Sequence, residues 1–260
     1  MPELMHLLER TLVIEATRRT VFRFFTDTVR WAAWWSAGSA IDARPGGRVL
    51  IRYPNGVQVL GEVLEIAEPE RIVFTYGYES GKPIPPGGSR VTIRLEEVES
   101  GTRLHLTHAF AEADVRDQHL QGWRFQLSLF ANLVADEVNA GAPDLVDAWF
   151  AAWSISDGGE RVRSLEAIAA PEVRFRDRYA HIDGLVELND HIAASLRFMP
   201  GIRMERKGAV RHCQHTLLVD WVARGRDGTE RMSGVNVFVL DARGRIASVT
   251  GFWNQSGGER

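Results

Sequence analysis

Alternation of apolar and polar residues with a period of two dominates the chain up to Val98. Turn residues, such as Pro45-Gly46-Gly47 and Pro85-Pro86-Gly87-Gly88, separate the alternating runs. This pattern is typical of consecutive antiparallel strands joined by tight connections. The predicted strands cover residues 7–15, 48–53, 57–66, 71–78, 90–97 and 102–110.

Helical spacing interrupts this pattern after the first strand and follows the last one. Thr17 is a suitable N-cap for a short helix through residues 21–25, and a second short helix is predicted around residues 28–35. After residue 110, one stripe recurs at steps of three and four, formed by Val115, His119, Trp123, Leu127, Phe130 and Val134. The stripe predicts a helix of about six turns.

The second half has a different order of elements. Asn139 to Asp144 breaks the long helix, and Pro143 suits the first turn of a new one, so the sequence predicts two domains, 1–139 and 140–260. Helices are predicted at 145–153, 160–169 (ended by Pro171) and 185–198, with a polar loop at 179–184. The predicted strands are 173–177, 202–211, 216–226, 229–240 and 245–254, and no internal repeat relates the halves.

Composition narrows the function classes. The chain has 260 residues, 45% of them apolar, and a net charge of -3, so no bulk positive charge favours nucleic acid. Charged residues interrupt the first twenty positions, and we therefore expect no membrane span or leader and a cytoplasmic protein. The lone Cys213 excludes an internal disulfide and a four-thiolate zinc site.

Nothing in the sequence indicates a cofactor or a metal. The glycine pairs are turns, since no phosphate-binding glycine motif stands between a strand and a helix, and the GxSxG and HExxH patterns are absent. His212 and His215 flank Cys213, but on one strand they point to opposite faces and cannot share an ion, whereas a hairpin bend near Gln214 would bring them together. We expect no cofactor and no metal site.

The first half resembles the START-like helix-grip superfamily, in the branch of the activator of the heat-shock-protein-90 ATPase. The resemblance rests on residues 16–22, Trp31 and Trp34-Trp35, residues 45–47, 61–66, 69–74 and 101–104, and Gly122-Trp123. It implies a helix-grip antiparallel sheet with a long C-terminal helix around an apolar cavity. The bacterial members are mostly single cavity domains without assigned chemistry, and the co-chaperone activity does not carry over to this chain.

The second half resembles the nuclear-transport-factor-2-like superfamily, near the polyketide cyclase SnoaL and ketosteroid isomerase. The matching segments are residues 169–177, Gly184 with the helix after it, residues 234–246 and Gly251-Phe252-Trp253. The resemblance implies a cone-shaped α+β barrel, in which a bent antiparallel sheet wraps round three helices and leaves a pocket at the wide end. The whole chain is therefore expected to be α+β.

The resemblance to ketosteroid isomerase implies two catalytic candidates. Asp177 stands where that enzyme has its general base, and Asn236 stands where it has one of its two oxyanion donors. Phe150 or Trp153 occupies the place of the tyrosine that provides the other donor. Alternatively, Asp177 is a structural carboxylate paired with a neighbouring arginine, and Asn236 is a satisfied buried amide.

The period of two decides between the faces of the strand that carries Asp177. Asp177 shares a face with Val173 and Phe175, while the neighbouring arginines point the other way, so Asp177 is expected to face the pocket. The other residues expected to bind a ligand in this half are Phe150, Trp153, Phe175, His181, Phe238 and Trp253. His181, Asp183 and His191 form a weaker candidate triad at the pocket mouth.

In the first half, alternation places aromatic side chains on one face of residues 71–78. We expect a cavity lined by Phe74, Tyr76, Tyr78, His108 and Trp123, in which the phenols and the imidazole are polar anchors. Alternatively, Phe74 and the leucines fill a solid core. The cluster of Trp31, Trp34 and Trp35 is interpreted as a plug between the short helices and the sheet.

The function expected from these observations is the binding, or the cofactor-free conversion of the isomerase or cyclase type, of a small apolar or aromatic molecule in one or both cavities. The alternative is a non-catalytic ligand-sensing or protein-interaction module. A homodimer through the second half is expected, because residues 216–240 carry large side chains on both faces and one sheet face alone meets the helices.

Overall fold

The computed structural model describes residues 3–254. The chain forms two compact units, Met1–Glu137 and Val138–Arg260, and each is described by itself. Both combine helices with a sheet, so the fold is α+β. Whether each unit folds alone stays a prediction.

The first unit contains a seven-stranded antiparallel sheet with the order β1-β7-β6-β5-β4-β3-β2. The strands are β1 (His6–Ile14), β2 (Ala40–Ile41), β3 (Arg48–Arg52), β4 (Gln58–Ala67), β5 (Arg71–Tyr78), β6 (Ser89–Val98) and β7 (Gly101–Phe110). The short β2 was not expected from the sequence. It extends the edge through two pairs with β3.

Helices complete the first unit: α1 (Arg18–Arg23), α2 (Thr28–Trp35) and α3 (Ala113–Val138). Thr17 and Asp27 cap α1 and α2, because their side chains accept hydrogen bonds from the backbone N–H groups of Thr20 and Arg30. Every member of the stripe of α3 from Val115 to Val134 except the half-buried His119 is buried, which gives the helix-grip arrangement.

An aromatic cluster fills the space between the short helices and α3. Trp31 and Trp34 are fully buried, and the Trp34 ring lies edge-on to the rings of Phe25 and Phe130, with centroids 5.6 and 5.0 Å away. The Trp34 indole N–H donates to the backbone oxygen of Phe24 at 3.1 Å. Trp31 and Trp34 therefore form a plug, and Trp34 also lines the cavity of the first unit together with Trp35.

The second unit is the cone-shaped α+β barrel. Its helices are α4 (Ala142–Ala152), α5 (Gly158–Glu166) and α6 (Leu185–Phe198). Its strands are β8 (Ala169–Arg176), β9 (His181–Asp183), β10 (Arg203–Cys213), β11 (Thr216–Arg224), β12 (Glu230–Leu240) and β13 (Ile246–Trp253). The sheet order is β10-β11-β12-β13-β8-β9, and β8 runs parallel to β13 while the other pairs are antiparallel.

The structure corrects two boundaries in this unit. The helix predicted to reach Ala169 ends at Glu166, and Ala169 already pairs with Ile246 as the first residue of β8. Pro171 does not end the helix but lies in β8, at the register shift opposite Ala247, where the strand needs no ladder donor. The predicted polar loop contains the short strand β9, which pairs with β8.

The core of the second unit lies between the helices and one face of the sheet. Trp149 and Phe150 of α4 pack against Phe238 of β12, with ring centroids 5.9 and 6.4 Å apart. Leu188 and Ile192 of α6 are fully buried in the same cluster. Among residues 3–254, no helix is both long enough and apolar enough to cross a membrane.

Candidate functional site

A cavity of about 540 Å³, the cone cavity, lies between α4, α6 and the sheet of the second unit. Its wall is mainly aromatic, with contributions from Trp149, Trp153, Phe175, Trp221 and Trp253. Exposed aromatic rings stand at its mouth, since the side chains of Tyr179 and Phe198 are 70% and 85% exposed. Such a wall favours an apolar molecule.

Asp177 lines this cavity directly after β8. Its carboxylate accepts two hydrogen bonds, from the indole N–H of Trp253 at 3.2 Å and from the backbone N–H of Tyr179 at 2.7 Å. Within the described residues it forms no ion pair, and Arg176 of the other face instead pairs with Asp183 at 2.8 Å. The carboxylate is thus held in place by neutral donors, and no cation neutralises it.

Asn236 lies on β12 in the same cavity wall and is 4% exposed. Its side-chain amide forms no hydrogen bond with any residue that the structure describes. The amide is not among the fully covered polar atoms that lack a partner, so it faces the space of the cavity. Asn236 therefore offers unused donor and acceptor capacity to whatever occupies the cavity.

Gly251 separates these two polar side chains. It pairs with Asn236 across β12 and β13, and a Cβ placed on it would lie 3.1 Å from Asn236 Oδ1 and 3.2 Å from Asp177 Cβ. Both distances are shorter than ordinary carbon contacts. The missing side chain therefore keeps open the space that Asp177 and Asn236 share.

His191 of α6 completes the polar part of the cone cavity. Its ring packs against Trp153 and Phe175, with centroids 5.8 and 5.9 Å away. Burial lowers the pKa of His191 and outweighs the opposing influence of the Asp177 charge, so the imidazole is neutral at pH 7. A neutral imidazole near a carboxylate can donate or accept a proton.

The predicted triad at the pocket mouth is wrong. His181 is exposed on β9 and Asp183 is paired with Arg176, and neither lines the cone cavity. His191 lines the cavity together with Asp177 instead, because α6 points its partly buried side into the cone. No local pattern could have indicated this pairing, since His191 and Asp177 lie in different parts of the fold.

Two further residues proposed for ligand binding in this unit lie behind the cavity wall. Phe150 and Phe238 are 1% and 0% exposed and pack in the core, because α4 turns Phe150 toward the sheet. Trp153, Phe175 and Trp253 do line the cavity. Sequence reasoning did not single out Trp221 or Tyr179, although Trp221 lies on the apolar face of β11 where period two places large side chains.

The first unit contains a second cavity of about 790 Å³, the grip cavity, between α2, α3 and the sheet. Tyr76, Tyr78 and Trp123 line it as expected from the alternation. Two proposed lining residues do not: Phe74 is buried against Trp31 with ring centroids 5.7 Å apart, and His108 is fully buried. Burial lowers the pKa of His108 well below its usual value.

His108 is a structural histidine with both ring nitrogens occupied. Its Nδ1 accepts from the indole N–H of Trp123 at 3.0 Å, so its Nε2 carries the proton and donates to Ser89 Oγ at 2.8 Å. The Ser89 hydroxyl in turn donates to the backbone oxygen of Tyr76 at 2.8 Å. These bonds fix Trp123 of α3 onto the sheet and leave His108 nothing to offer a ligand.

Tyr53 and His119 are the functional candidates that sequence reasoning missed. Tyr53 Oη lies 3.1 Å from Tyr76 Oη, which lies 3.4 Å from Tyr78 Oη, and Tyr78 Oη lies 3.1 Å from His119 Nε2. His119 looked like one member of the apolar stripe of α3, and Tyr53 like the end of a strand before a turn. All four side chains line the grip cavity.

A known protein family matches most of the first unit. Residues 15–135 match the family model "Activator of Hsp90 ATPase homolog 1-like protein". This match confirms the resemblance expected for the first half, and the matched residues reach from the end of β1 into α3. No protein with a curated description matches the chain.

Several solved structures are similar to parts of the chain. A candidate isomerase of the SnoaL-like family from Agrobacterium tumefaciens is 24% identical, with a TM-score of 0.41, and covers 43% of this chain and 95% of that one. The Aha1 dimer from Colwellia psychrerythraea is 17% identical, with a TM-score of 0.42, covering 47% and 91%. CalU16 from Micromonospora echinospora is 27% identical, with a TM-score of 0.40, covering 50% and 76%.

Proposed function

We propose that the cone cavity binds a small, mainly apolar carbonyl compound and moves a proton on the carbon next to the carbonyl. Asp177 is the base of this reaction and Asn236 is the donor to the carbonyl oxygen. The observation that carries the proposal is the pair formed by an unneutralised carboxylate and an unpaired, 4% exposed amide on the two sides of Gly251.

The proposed reaction balances without a cofactor. The carboxylate of Asp177 takes a proton from the carbon next to the carbonyl, and the electron pair of that C–H bond moves into the enolate. The enolate oxygen accepts a hydrogen bond from the Asn236 amide, which supports the developing charge within a mainly aromatic wall. Asp177 then returns the proton to the same carbon or to another carbon of the enolate, and the second outcome is an isomerisation.

The alternative function is ligand binding without chemistry, and one feature favours it. Phe150 or Trp153 stands in the place of a second oxyanion donor: Phe150 has no donor group, and the indole N–H of Trp153 is covered and has no partner among the described residues. With one oxyanion donor instead of two, a site of this kind loses about 10²–10³ in rate. A slow enzyme or a sensor that holds its ligand unchanged would both fit this arrangement.

Deuterium exchange distinguishes catalysed proton transfer from ligand binding without chemistry. A panel of small cyclic and aromatic ketones is incubated with the full chain in D₂O, and loss of the proton next to the carbonyl is followed by proton NMR. We expect catalysed exchange with the wild type and with Asp183→Asn, whose carboxylate is a surface partner of Arg176. Exchange is expected to be lost in Asp177→Asn.

Two outcomes would contradict the enzymatic proposal. If the ketones bind but no proton exchange is catalysed, the cone cavity is a ligand-binding site without chemistry. Exchange that persists unchanged in Asp177→Asn would assign the base to another residue. Circular dichroism of both variants checks that the fold is kept, and we expect no change because the amide oxygen introduced by Asp177→Asn can still accept from Trp253.

A further inference from the structure

The hydrogen bonds in the grip cavity have a fixed direction. His119 Nδ1 lies 2.7 Å from the backbone oxygen of Val115, and a carbonyl oxygen only accepts, so Nδ1 carries the proton. Burial lowers the pKa of His119, which keeps the ring neutral and leaves Nε2 as an acceptor. His119 therefore acts as the acceptor at one end of the hydrogen-bonded series formed by Tyr53, Tyr76, Tyr78 and His119.

This direction passes through all three phenols. Tyr78 donates to His119 Nε2 at 3.1 Å, and since each phenol has one hydrogen, Tyr76 must donate to Tyr78 at 3.4 Å. By the same count, Tyr53 donates to Tyr76 at 3.1 Å. Tyr53 Oη accepts no hydrogen bond from any residue that the structure describes, so the open end of the chain at the cavity is a lone pair.

The surroundings of the phenols keep Tyr53 and Tyr76 protonated and keep their hydrogen bonds in this direction. Desolvation raises the pKa of Tyr53 to about 12 and raises the pKa of Tyr76 well above its usual value, so these two phenols keep their protons at neutral pH. The rings of Trp35 and Tyr53 meet edge-to-face with centroids 6.0 Å apart, and Trp123 stands beside Trp35 at 5.6 Å. The lone pair of Tyr53 thus lies in an aromatic wall.

We propose that the grip cavity is a second binding site, and that it takes an apolar molecule carrying a hydroxyl group, which donates to Tyr53 Oη. This inference goes beyond the proposed function, because it concerns a different cavity in the other unit. A molecule that offers only a hydrogen-bond acceptor, such as an ether or a ketone, places its oxygen against the lone pair of Tyr53 Oη, and its binding is therefore disfavoured. The directed chain makes the cavity selective for donors.

A matched ligand pair tests the selectivity. Binding of 2-naphthol and of 2-methoxynaphthalene to the full chain is measured by isothermal titration calorimetry. We expect the naphthol to bind about tenfold more tightly, the effect of one hydrogen bond to an otherwise unpaired acceptor. Equal affinities, or no binding of 2-naphthol up to its solubility limit, would overturn the proposal.

Variants assign the selectivity to the grip cavity. Tyr53→Phe is expected to abolish the preference for the naphthol, whereas Tyr179→Phe, which removes the phenol at the mouth of the cone cavity, is expected to keep it. Tyr78→Phe leaves Tyr53 in place but frees Tyr76 and Tyr53 to turn their hydrogens, so the preference falls while both molecules still bind. A preference unchanged in Tyr53→Phe would overturn the assignment.

A measurement without ligand tests the direction of the chain. Long-range nitrogen–proton NMR spectra of the full chain at neutral pH distinguish the two neutral forms of each histidine. We expect His119 to carry its proton on Nδ1 and His108 on Nε2, in accordance with their partners. A proton on Nε2 of His119 would reverse the chain and overturn the proposal.

Discussion

The cone cavity and the grip cavity are both mainly apolar, but their polar groups are arranged in different ways. In the cone cavity, a carboxylate and an amide with unused hydrogen-bonding capacity flank one glycine. In the grip cavity, three phenols and an imidazole bond to one another in a single directed chain. Polar groups without a protein partner can act chemically on a bound molecule. Side chains that are hydrogen-bonded to one another in a fixed direction can instead orient a bound molecule and select which molecule binds.

The largest effect is expected from the amide of the cone cavity. Asn236→Leu removes the proposed oxyanion donor, and we expect the rate of ketone proton exchange to fall about 10²–10³-fold. The free energy of unfolding should stay within about 1 kcal/mol of the wild type or rise, because the change breaks no side-chain hydrogen bond with any residue that the structure describes. Urea unfolding and the exchange assay measure both quantities, and a strong loss of stability would mean that Asn236 has a structural partner.

Acid should destabilise the first unit, which contains the grip cavity, through its buried histidine His108. The folded-state pKa of His108 is lowered by burial and by the charge of His119, so the unfolded chain binds more protons below pH 6.5. The stabilisation is complete above about pH 6.5 and is lost as the pH falls toward the folded pKa, at no more than about 1.4 kcal/mol per pH unit for each such group.

A conservative variant isolates the contribution of His108. His108→Gln keeps a donor and an acceptor at this position but does not titrate, so the free energy of unfolding should depend less steeply on pH below 6.5. His181→Gln, at an exposed histidine of the other unit, is the matched control and should leave the slope unchanged. Equal slopes in the wild type and His108→Gln would show that other groups dominate acid unfolding.

A smaller effect is expected at the glycine that separates the catalytic candidates. Gly251→Ala places a methyl group 3.1 Å from Asn236 Oδ1 and 3.2 Å from Asp177 Cβ, so the neighbours must shift by a few tenths of an ångström. We expect a loss of stability of about 1 kcal/mol and a roughly tenfold fall in exchange rate. The ligand selectivity of the grip cavity should not change. If it does change, the two cavities do not act independently.

Particular residues show how far the sequence predicts these sites. Alternation along residues 173–178 separates Asp177 and Phe175 from the arginines, and both line the cone cavity. The chain of hydrogen bonds from Tyr53 to His119 joins the residue after β3 to β5 and α3, and no local period of the sequence specifies that these parts lie together. The beginning of β8 was missed for a related reason, since Ala169 pairs with Ile246 far along the chain and Pro171 stands in the irregular part of the strand.

Association of two copies of the protein is expected through the second unit, which contains the cone cavity. The sheet face opposite the helices carries Val235, Val237 and Val239 of β12, which are partly exposed, and Phe252 of β13, which is 57% exposed and pairs with Val235. A second copy would cover this apolar surface. Sedimentation should give the mass of a homodimer, and Phe252→Lys should shift it toward the monomer while Phe198→Lys, at the cavity mouth, should not.

The smallest effect is expected from separating the units, because each has its own sheet and core. The cut belongs between Val138 and Asn139, since α3 ends at Val138 and the Asn139 side chain donates to the backbone oxygen of Gln214 within the second unit. We expect fragments 1–138 and 139–260 to fold alone, each with an unfolding temperature near that in the full chain. Hydrogen exchange on each fragment measures this. A fragment 139–260 that is unfolded even at high concentration would contradict the two-domain prediction, and with it the assignment of separate tasks to the two cavities.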